Sequence, residues 1–326
     1  MKLPRRQFLQ LAASAAALPA VSPMAWAQTY PTRPITMIVP YAAGGMTDVV
    51  GRVVAERMGK SLGHPIIIEN VSGADGNIAV GRTTRARPDG YTIDLGSLTT
   101  HVLNGAFYSL PYNVLNDFAP VSPVGMAARV LFARKTMPAN DLSELIDWLK
   151  ASPNKASAGN SSVEIRLLSA LFQQQTRTQF ALVPYRGIAP AMQDLAAGHI
   201  DLIFEPTDSL SLVRAGSIKA YAATSDTRLA LAPDIPTFVE MGLPALTYSG
   251  WYGLFAPKGT SKDIIAKLNA ATVQALADPA VRSRLADLGV EIFPHERQTP
   301  EALGALVKAD AEKWWPLINE LGIRAE

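Results

Sequence analysis

Residues 40–48 combine a glycine turn with groups that can surround a small anion. Gly44 and Gly45 form the turn, and Thr47 and Asp48 follow at the start of a helical pattern. The first N–H groups of a helix lack acceptors within it, and the helix dipole is positive at that end. The turn therefore suits a carboxylate or a phosphate. The glycines could equally be structural, because βα loops often need a positive φ.

The flanking residues predict the elements that position this turn. A β-branched run at 35–39 is typical of a buried strand and stops at Pro40. Beyond the turn, apolar residues recur on one helical face until Gly63, and Thr47 or Asp48 can cap this helix. The sequence thus predicts a strand, a turn and a helix in series.

The same alternation continues along the chain. Further strands are predicted at 66–69, 92–95, 130–133, 181–185, 200–204 and 218–223, and helices at 79–87, 142–150, 165–175 and 189–197. This rhythm indicates βαβ units, an α/β fold and largely parallel sheets covered by helices. Ligands of such sheets bind beyond the carboxyl ends of the strands.

Two extended segments predict crossings between two lobes. Residues 118–130 pass through two prolines, and residues 248–257 form a second extended stretch. Together they predict two antiparallel hinge strands. The first lobe would contain residues 28–128 and 250–326, and the second lobe residues 129–249.

Residues 1–27 have the pattern of an export signal. Arg5 and Arg6 precede Phe and Leu in the manner of a twin-arginine signal, and an apolar run at 11–21 follows. Ala25 and Ala27 provide a small-x-small cleavage pattern. The competing interpretation is a membrane anchor, but the run falls short of the roughly 20 residues that a span needs. We therefore expect a mature periplasmic chain without membrane insertion.

Composition excludes several classes of function. The chain has no Cys, which removes thiol catalysis and zinc–thiolate sites. Cleavage of the signal removes three positive charges from a net charge of +2, so no basic surface for nucleic acid is expected. The four His residues lie at no metal-ligand spacing, and no common catalytic motif occurs. We expect no metal, no cofactor, no nucleic acid partner and no enzymatic activity, although two-lobed α/β chains also include enzymes.

Several motifs occur in the order of a known family. They are VSGADGNIAVGR from Val71, RPDGYT from Arg87, LPYNVLNDFAPV from Leu110, VPYRGIAPAMQDLAAGHIDLIF from Val183, LAPDIPTFVEMGLP from Leu231 and WYGLFAPKGT from Trp251. With the YPTRPITMIVPYAAGGMTD start, this series resembles the Bug-type receptors, the periplasmic solute-binding proteins of tripartite tricarboxylate transporters. The resemblance implies a type II-like, two-lobed periplasmic binding protein. It also implies a small carboxylate ligand and the permease subunits of a transporter as partners, and we expect a monomer.

The resemblance also implies a first-lobe pocket. Its residues would be Tyr41, Ala43, Gly44, Gly45, Asp48, Ser97, Leu98 and Thr99. Hydroxyl and backbone N–H groups in this set suit a carboxylate without a buried Arg. Asp48 could instead only stabilise its own helix, and His101 is expected to be a hydrogen-bonding loop residue.

The second-lobe residues implied by the resemblance include a departure from the family pattern. They are Asn160, Ser161, Ser162, Tyr185, Arg186, Gly187 and Glu205. In the loop that starts at Gly159, Ser161 replaces the second family Gly and Arg166 stands where the family has His. Arg166 could bind an anion, or it could pair with Glu164 or face solvent.

Glu205 is the residue on which specificity would depend. At the cleft, its carboxylate would repel a second ligand acid and attract an amine, whereas a solvated or helix-capping Glu would do neither. A periplasmic sensor that reports to a membrane kinase would have the same fold, and sequence does not separate it from a transport receptor.

Overall fold

The computed structural model describes residues 30–324, so the predicted signal at 1–27 lies outside the described residues. Its strands are β1 (Ile35–Val39), β2 (Ile66–Asn70), β3 (Thr92–Ser97), β4 (Phe118–Arg134), β5 (Ser157–Asn160), β6 (Ala181–Pro184), β7 (Leu202–Pro206), β8 (Ile218–Ala223), β9 (Ser249–Pro257) and β10 (Glu291–Ile292). Its α-helices are α1 (Met46–Leu62), α2 (Asn77–Thr84), α3 (Asn104–Phe107), α4 (Leu142–Ala151), α5 (Val163–Thr176), α6 (Ile188–Ala197), α7 (Leu210–Arg214), α8 (Lys262–Ala277), α9 (Pro279–Asp287) and α10 (Pro300–Glu320). The predicted alternation of strands and helices is confirmed.

The strands form two mixed sheets that share β4. The first has the order β2-β1-β3-β9-β4, with β10 also on β4, and the second contains β6-β5-β7-β4 with β8 on β4. The pairs β1–β2, β1–β3, β5–β6 and β5–β7 are parallel. Pairs that involve β4 or β9 are antiparallel. The loops that follow the carboxyl ends of these parallel strands lead into helices.

The long strand β4 connects the two sheets. Its residues up to Ala128 pair with β9, and from Arg129 onward it pairs with β7 and β8. This arrangement confirms two antiparallel crossings in a two-lobed α/β fold. The exact lobe boundaries at 128 and 249 stay predictions.

The buried apolar residues form two clusters. One packs β1, β3 and β9 against α1 and α8 and includes Met37, Val54 and Leu254. The other packs β7 and β8 against α4 and α5, with Phe172 and Phe204, and extends to Phe255 on β9 and to α10. Strand β1 has the buried, β-branched composition that favours a sheet.

The start of helix α1 differs from the predicted cap. The N-cap is Gly45, and no side chain caps it, so the prediction of Thr47 or Asp48 at the cap is wrong. Both side chains lie inside the first turn instead. At the other end, Gly63 adopts a left-handed φ of 72° and ends the helix as predicted.

Candidate functional site

The turn before α1 presents free backbone donors. Gly44 has a φ of 87°, whereas Gly45 is extended with a φ of −76°. The first bond of the helix runs from the N–H of Val49 to the carbonyl of Gly45. The N–H groups of Met46 and Thr47 consequently have no acceptor within the helix and lie at its positive end. This end of α1 can bind a carboxylate.

Asp48 anchors the turn from within α1. Its Oδ2 accepts hydrogen bonds from the N–H of Gly44 at 2.8 Å and from Nε of Arg52 at 2.9 Å. Its Oδ1 accepts one from Asn70 Nδ2 at 2.9 Å. Burial alone would raise the pKa of Asp48, but these three hydrogen bonds outweigh burial and lower it. Asp48 therefore anchors the turn with both of its carboxylate oxygens but does not cap the helix, as the alternative interpretation had it.

The end of β3 forms the neighbouring wall of the first lobe. Ser97, Leu98 and Thr99 are buried there. The hydroxyl of Thr100 lies 3.3 Å from that of Ser97 and accepts the N–H of Ser97 at 3.0 Å. Tyr41, beside Ala43 in the turn, is partly buried, and burial raises the pKa of its hydroxyl well above the usual range. This wall is rich in hydroxyl groups.

His101 supports that wall from behind. Its Nδ1 lies 3.0 Å from the hydroxyl of Thr100, which is the hydrogen-bonding role expected from the sequence. Its ring stacks on Phe255 with centroids 4.0 Å apart. Burial lowers the pKa of His101 to about 3 and raises that of the nearby Asp94 to about 8, so burial favours the neutral form of each group. His101 is fully buried behind Thr100.

The second-lobe wall begins where β5 ends. Ser162 is the N-cap of α5 and accepts the N–H of Ile165 at 3.4 Å. The hydroxyl of Ser161 donates to Oε1 of Glu205 at 2.8 Å. Asn160, between β5 and these serines, has its Oδ1 buried without a hydrogen-bond partner. The predicted residues Asn160, Ser161 and Ser162 therefore lie at the carboxyl end of β5, and Ser161 contacts Glu205 near the carboxyl end of β7.

Glu205 is buried at this edge. Only 1% of its surface is exposed, and its Oε2 has no hydrogen-bond donor among the described residues. Burial raises the pKa of the Glu205 carboxyl to about 8, although Ser161 and Arg129 oppose the change. The solvated alternative for Glu205 is thus wrong.

A buried ion pair next to Glu205 was missed by sequence reasoning. Arg129 Nε lies 2.5 Å from Oε1 of Glu164, and both side chains are almost fully buried. Oε2 of Glu164 accepts a hydrogen bond from the hydroxyl of Thr99 at 3.1 Å, which joins the two lobes. No local pattern reveals this pair, because its members lie on β4 and α5. The alternative in which Glu164 pairs with Arg166 is wrong.

Asp75 is a second residue that the sequence analysis missed. Its Oδ2 accepts the N–H of Val163, the first residue of α5, at 2.9 Å. Asp75 belongs to the first-lobe loop, so this contact also crosses between lobes. Burial raises the pKa of Asp75 to about 6. Its position inside the quoted VSGADGN motif is a signal, but its partner 88 residues away is visible only in the fold.

The remaining predicted residues lie at the rim. Tyr185 donates its hydroxyl to Oδ2 of Asp194 at 2.6 Å, and its backbone N–H bonds to the carbonyl of Asn160. Arg186 and Gly187 are exposed. Arg166 donates to the carbonyl of Arg324 at 3.1 Å. The side chain of Tyr185 is therefore engaged by its own lobe, while Arg186 is available to a ligand or to solvent.

Within residues 30–324, no group of three or more acidic or His side chains has the geometry to hold a metal ion. No helix in that range is long and apolar enough to cross a membrane. The arrangement as a whole provides backbone and hydroxyl donors on one side and carboxylates on the other. Such a cleft can bind a small polar molecule by complementary hydrogen bonds.

Comparison with known proteins identifies the class. Residues 50–323 match the model of the tripartite tricarboxylate transporter family receptor, and the chain belongs to this family. Protein BugT from Bordetella pertussis is 35% identical over 303 residues, which cover 91% of this chain and 92% of BugT. The predicted membership of the Bug receptors is thereby confirmed.

Two solved structures of relatives contain ligands. MatC from Rhodopseudomonas palustris with bound malate is 36% identical and has a TM-score of 0.82, and the match covers 89% of this chain and 100% of the MatC chain. A further R. palustris protein with adipate is 30% identical, has a TM-score of 0.84, and covers 90% of this chain and 99% of its own. The chain is therefore a solute-binding protein in fold and family.

Proposed function

We propose that this protein is a periplasmic receptor that captures a small carboxylate between its two lobes and delivers it to the permease subunits of a tripartite tricarboxylate transporter. The N-terminus of α1 carries the proposal. Its free N–H groups have no acceptor among residues 30–324, and Asp48 fixes the turn that presents them. Malate and adipate in two relatives are both carboxylates, which supports the same ligand class here.

The two walls of the proposed cleft would contact opposite ends of the ligand. The turn at Gly44 and Gly45, with Ser97 and Thr99, would hold a carboxylate of the ligand through neutral donors. The second lobe would contact the opposite end through the segment from Asn160 to Ser162 and through Glu205. A ligand that bridges both walls would favour closure, because only the closed form makes both sets of contacts.

Gly45→Val tests the ligand-binding turn. A Cβ at Gly45 would meet only the carbonyl of Ala42, at 3.7 Å, and the local φ suits an L-residue. The variant should therefore fold, while its β-branched side chain covers the free N–H groups. We expect malate, adipate and other carboxylates that raise the melting temperature of the wild type to lose this effect.

Gly304→Val is the matched control. Gly304 lies in α10, and a Cβ there meets only Pro120, at 3.5 Å. This variant should keep the thermal shift of the wild type. A Gly45→Val protein with unchanged affinity by calorimetry would contradict the placement of the site. Loss of uptake of the bound carboxylate in a deletion strain would distinguish transport from sensing.

A further inference from the structure

We propose that the ligand carries a protonated amine at the end that faces the second lobe, so that it is an amino carboxylate rather than an amine-free dicarboxylate. This inference rests on the proposed function, because it assigns ligand chemistry within the same cleft. It follows from which hydrogen-bonding groups the second-lobe wall has already used and which it leaves free.

Two of the backbone donors at the start of α5 are already taken. The N–H of Val163 is bound by Asp75, and that of Ile165 by the hydroxyl of Ser162. Asp75 has a left-handed φ of 52°, and Ala74 before it has a φ of 47°. Such conformations are strained in residues with a Cβ and persist only when other contacts hold them. The protein's own carboxylate thus fills the place that a second ligand carboxylate would use.

The buried cation of this wall is also neutralised. Arg129 forms its ion pair with Glu164 and donates Nη1 to the carbonyl of Ala127 at 3.2 Å. Asp208, exposed just after β7, and Glu205 add two further carboxyl groups within electrostatic range of Arg129. Carboxyl groups therefore exceed cations at this wall. Once Glu205 is ionised, it would repel a second ligand carboxylate here.

Two buried side-chain oxygens of the wall are unused. Oε2 of Glu205 and Oδ1 of Asn160 are buried without donors, while Ser161 holds only the other oxygen of Glu205. A buried acceptor without a partner costs free energy. An ammonium group supplies three donors and a positive charge. It could therefore donate to Oε2 of Glu205, which has no donor, and balance the charge of the carboxylate.

The two ends of the proposed ligand share one cleft. Tyr252 is buried on β9, where burial raises the pKa of its hydroxyl while Arg129 on β4 and Thr47 in the first turn of α1 oppose the change. The hydroxyl of Thr99 in the first-lobe wall donates to Oε2 of Glu164 in the second-lobe wall at 3.1 Å. The two walls are therefore close enough for a short molecule to contact both.

Calorimetry with three matched pairs tests the inference at pH 7. The pairs are aspartate and succinate, glutamate and glutarate, and 4-aminobutyrate and butyrate, so each differs only in the amine. We expect at least one amino compound to bind at least about tenfold tighter than its partner, the ratio that 1.4 kcal/mol represents. Glu205→Gln, which keeps the shape and the Ser161 contact, should remove this preference and should not weaken the amine-free partner.

Asp75→Asn is the second variant. Asn tolerates a left-handed φ, and its Oδ1 can still accept the N–H of Val163. Asp75→Asn should weaken binding of the amino compound several-fold and strengthen binding of the amine-free dicarboxylate. Glu240→Gln is the control, because it removes a carboxylate from an exposed ion pair with Arg228 in the predicted second lobe. It should change neither affinity.

The pH dependence provides an independent readout. The groups that face Glu205 are Arg129 on β4, Glu164 on α5, Asp208 after β7 and the hydroxyl of Ser161. Because the Glu205 carboxyl is raised to a pKa of about 8, an ammonium must displace its proton. Affinity for the amino compound should rise up to about tenfold per pH unit between pH 6 and 8, and Glu205→Gln should abolish the slope. A neutral Glu205 that donates to a second carboxylate would give the opposite slope.

Two results would overturn the inference and leave the proposed function standing. One is tighter binding of succinate than of aspartate, or of glutarate than of glutamate. The other is an equal loss of affinity for both compounds of a pair in Glu205→Gln. If Glu205→Gln does not fold, Asp208→Asn at the exposed neighbour should show the same selective loss, and an equal loss there also contradicts the inference. Absence of binding by all six compounds contradicts it too, and titration with malate and adipate then tests the proposed function by itself.

Discussion

Asp48 illustrates how a residue next to a ligand site can be fully occupied by its own chain. All of its strong hydrogen bonds go to Gly44, Arg52 and Asn70, and it is 2% exposed. Its identity and its place after a glycine turn were visible in the sequence. Its partner Asn70 lies at the end of another strand, so only the fold distinguishes anchoring from ligand binding.

Replacement of Asp48 tests this role. Asp48→Ala leaves the Gly44 N–H without an acceptor and leaves Asn70 Nδ2 with only the carbonyl of Tyr41, so we expect the free energy of unfolding to fall by about 1–3 kcal/mol. Because the pKa of Asp48 is lowered on folding, this contribution is present above its unfolded pKa and is lost as pH falls through the folded value. Urea denaturation at pH 7 and in mild acid measures both effects.

Asp226→Ala is the control for this substitution. Asp226 is exposed. Its replacement should change stability by less than about 0.5 kcal/mol at either pH. Equal losses in the two variants would contradict the anchoring role of Asp48.

At the scale of elements, β4 and α5 are tied by a buried charge pair. Arg129 belongs to the crossing strand, and Glu164 to the first turn of α5. The apolar patterns predicted both elements, but periodicity carries no information about which helix meets which strand residue. The pair therefore became visible only when the second sheet was assembled around β4.

Replacement of Arg129 alone should destabilise the protein, because Glu164 stays buried. Arg129→Met leaves Glu164 buried without a cation, and we expect a loss of about 3–5 kcal/mol in the free energy of unfolding. The double replacement Arg129→Met with Glu164→Leu should recover much of this loss, since no buried charge then remains. Denaturant titration of both variants checks the expectation. A double variant no more stable than the single one would contradict it.

At the scale of the whole molecule, hydrogen bonds between the predicted lobes are present without ligand. At the site they join Thr99 to Glu164 and Val163 to Asp75. Elsewhere Arg166 donates to the carbonyl of Arg324, and Thr207 to that of Leu288. Opening of the site must break the first two bonds, and a ligand that contacts both walls replaces them with its own contacts. The balance between open and closed forms should therefore depend on these bonds as well as on ligand.

Small-angle scattering can test this balance. Thr99→Val removes one bond between the lobes, so we expect a larger radius of gyration than in the wild type without ligand, and the wild-type value once a tight ligand is bound. Thr227→Val, at an exposed position, is the control and should resemble the wild type. Identical radii for Thr99→Val with and without ligand would contradict closure by ligand.

The sequence by itself determined the elements and the family. Apolar periodicity, the glycine turn and the order of the family motifs are local properties, and they fixed β1, the turn, α1 and the two crossings. It also brought forward Gly45, Ser161 and Glu205 as site candidates. Local patterns succeed here because each records how one segment buries its own apolar face.

The tertiary structure decided how the side chains of the cleft are used. It placed Asp75 on the first turn of α5, paired Arg129 with Glu164, directed Tyr185 to Asp194, and left Glu205 with a free oxygen. These outcomes depend on residues that are distant in sequence and meet only when the sheets assemble. Hydrogen bonding and burial are set by that assembly, and a linear pattern carries no record of it.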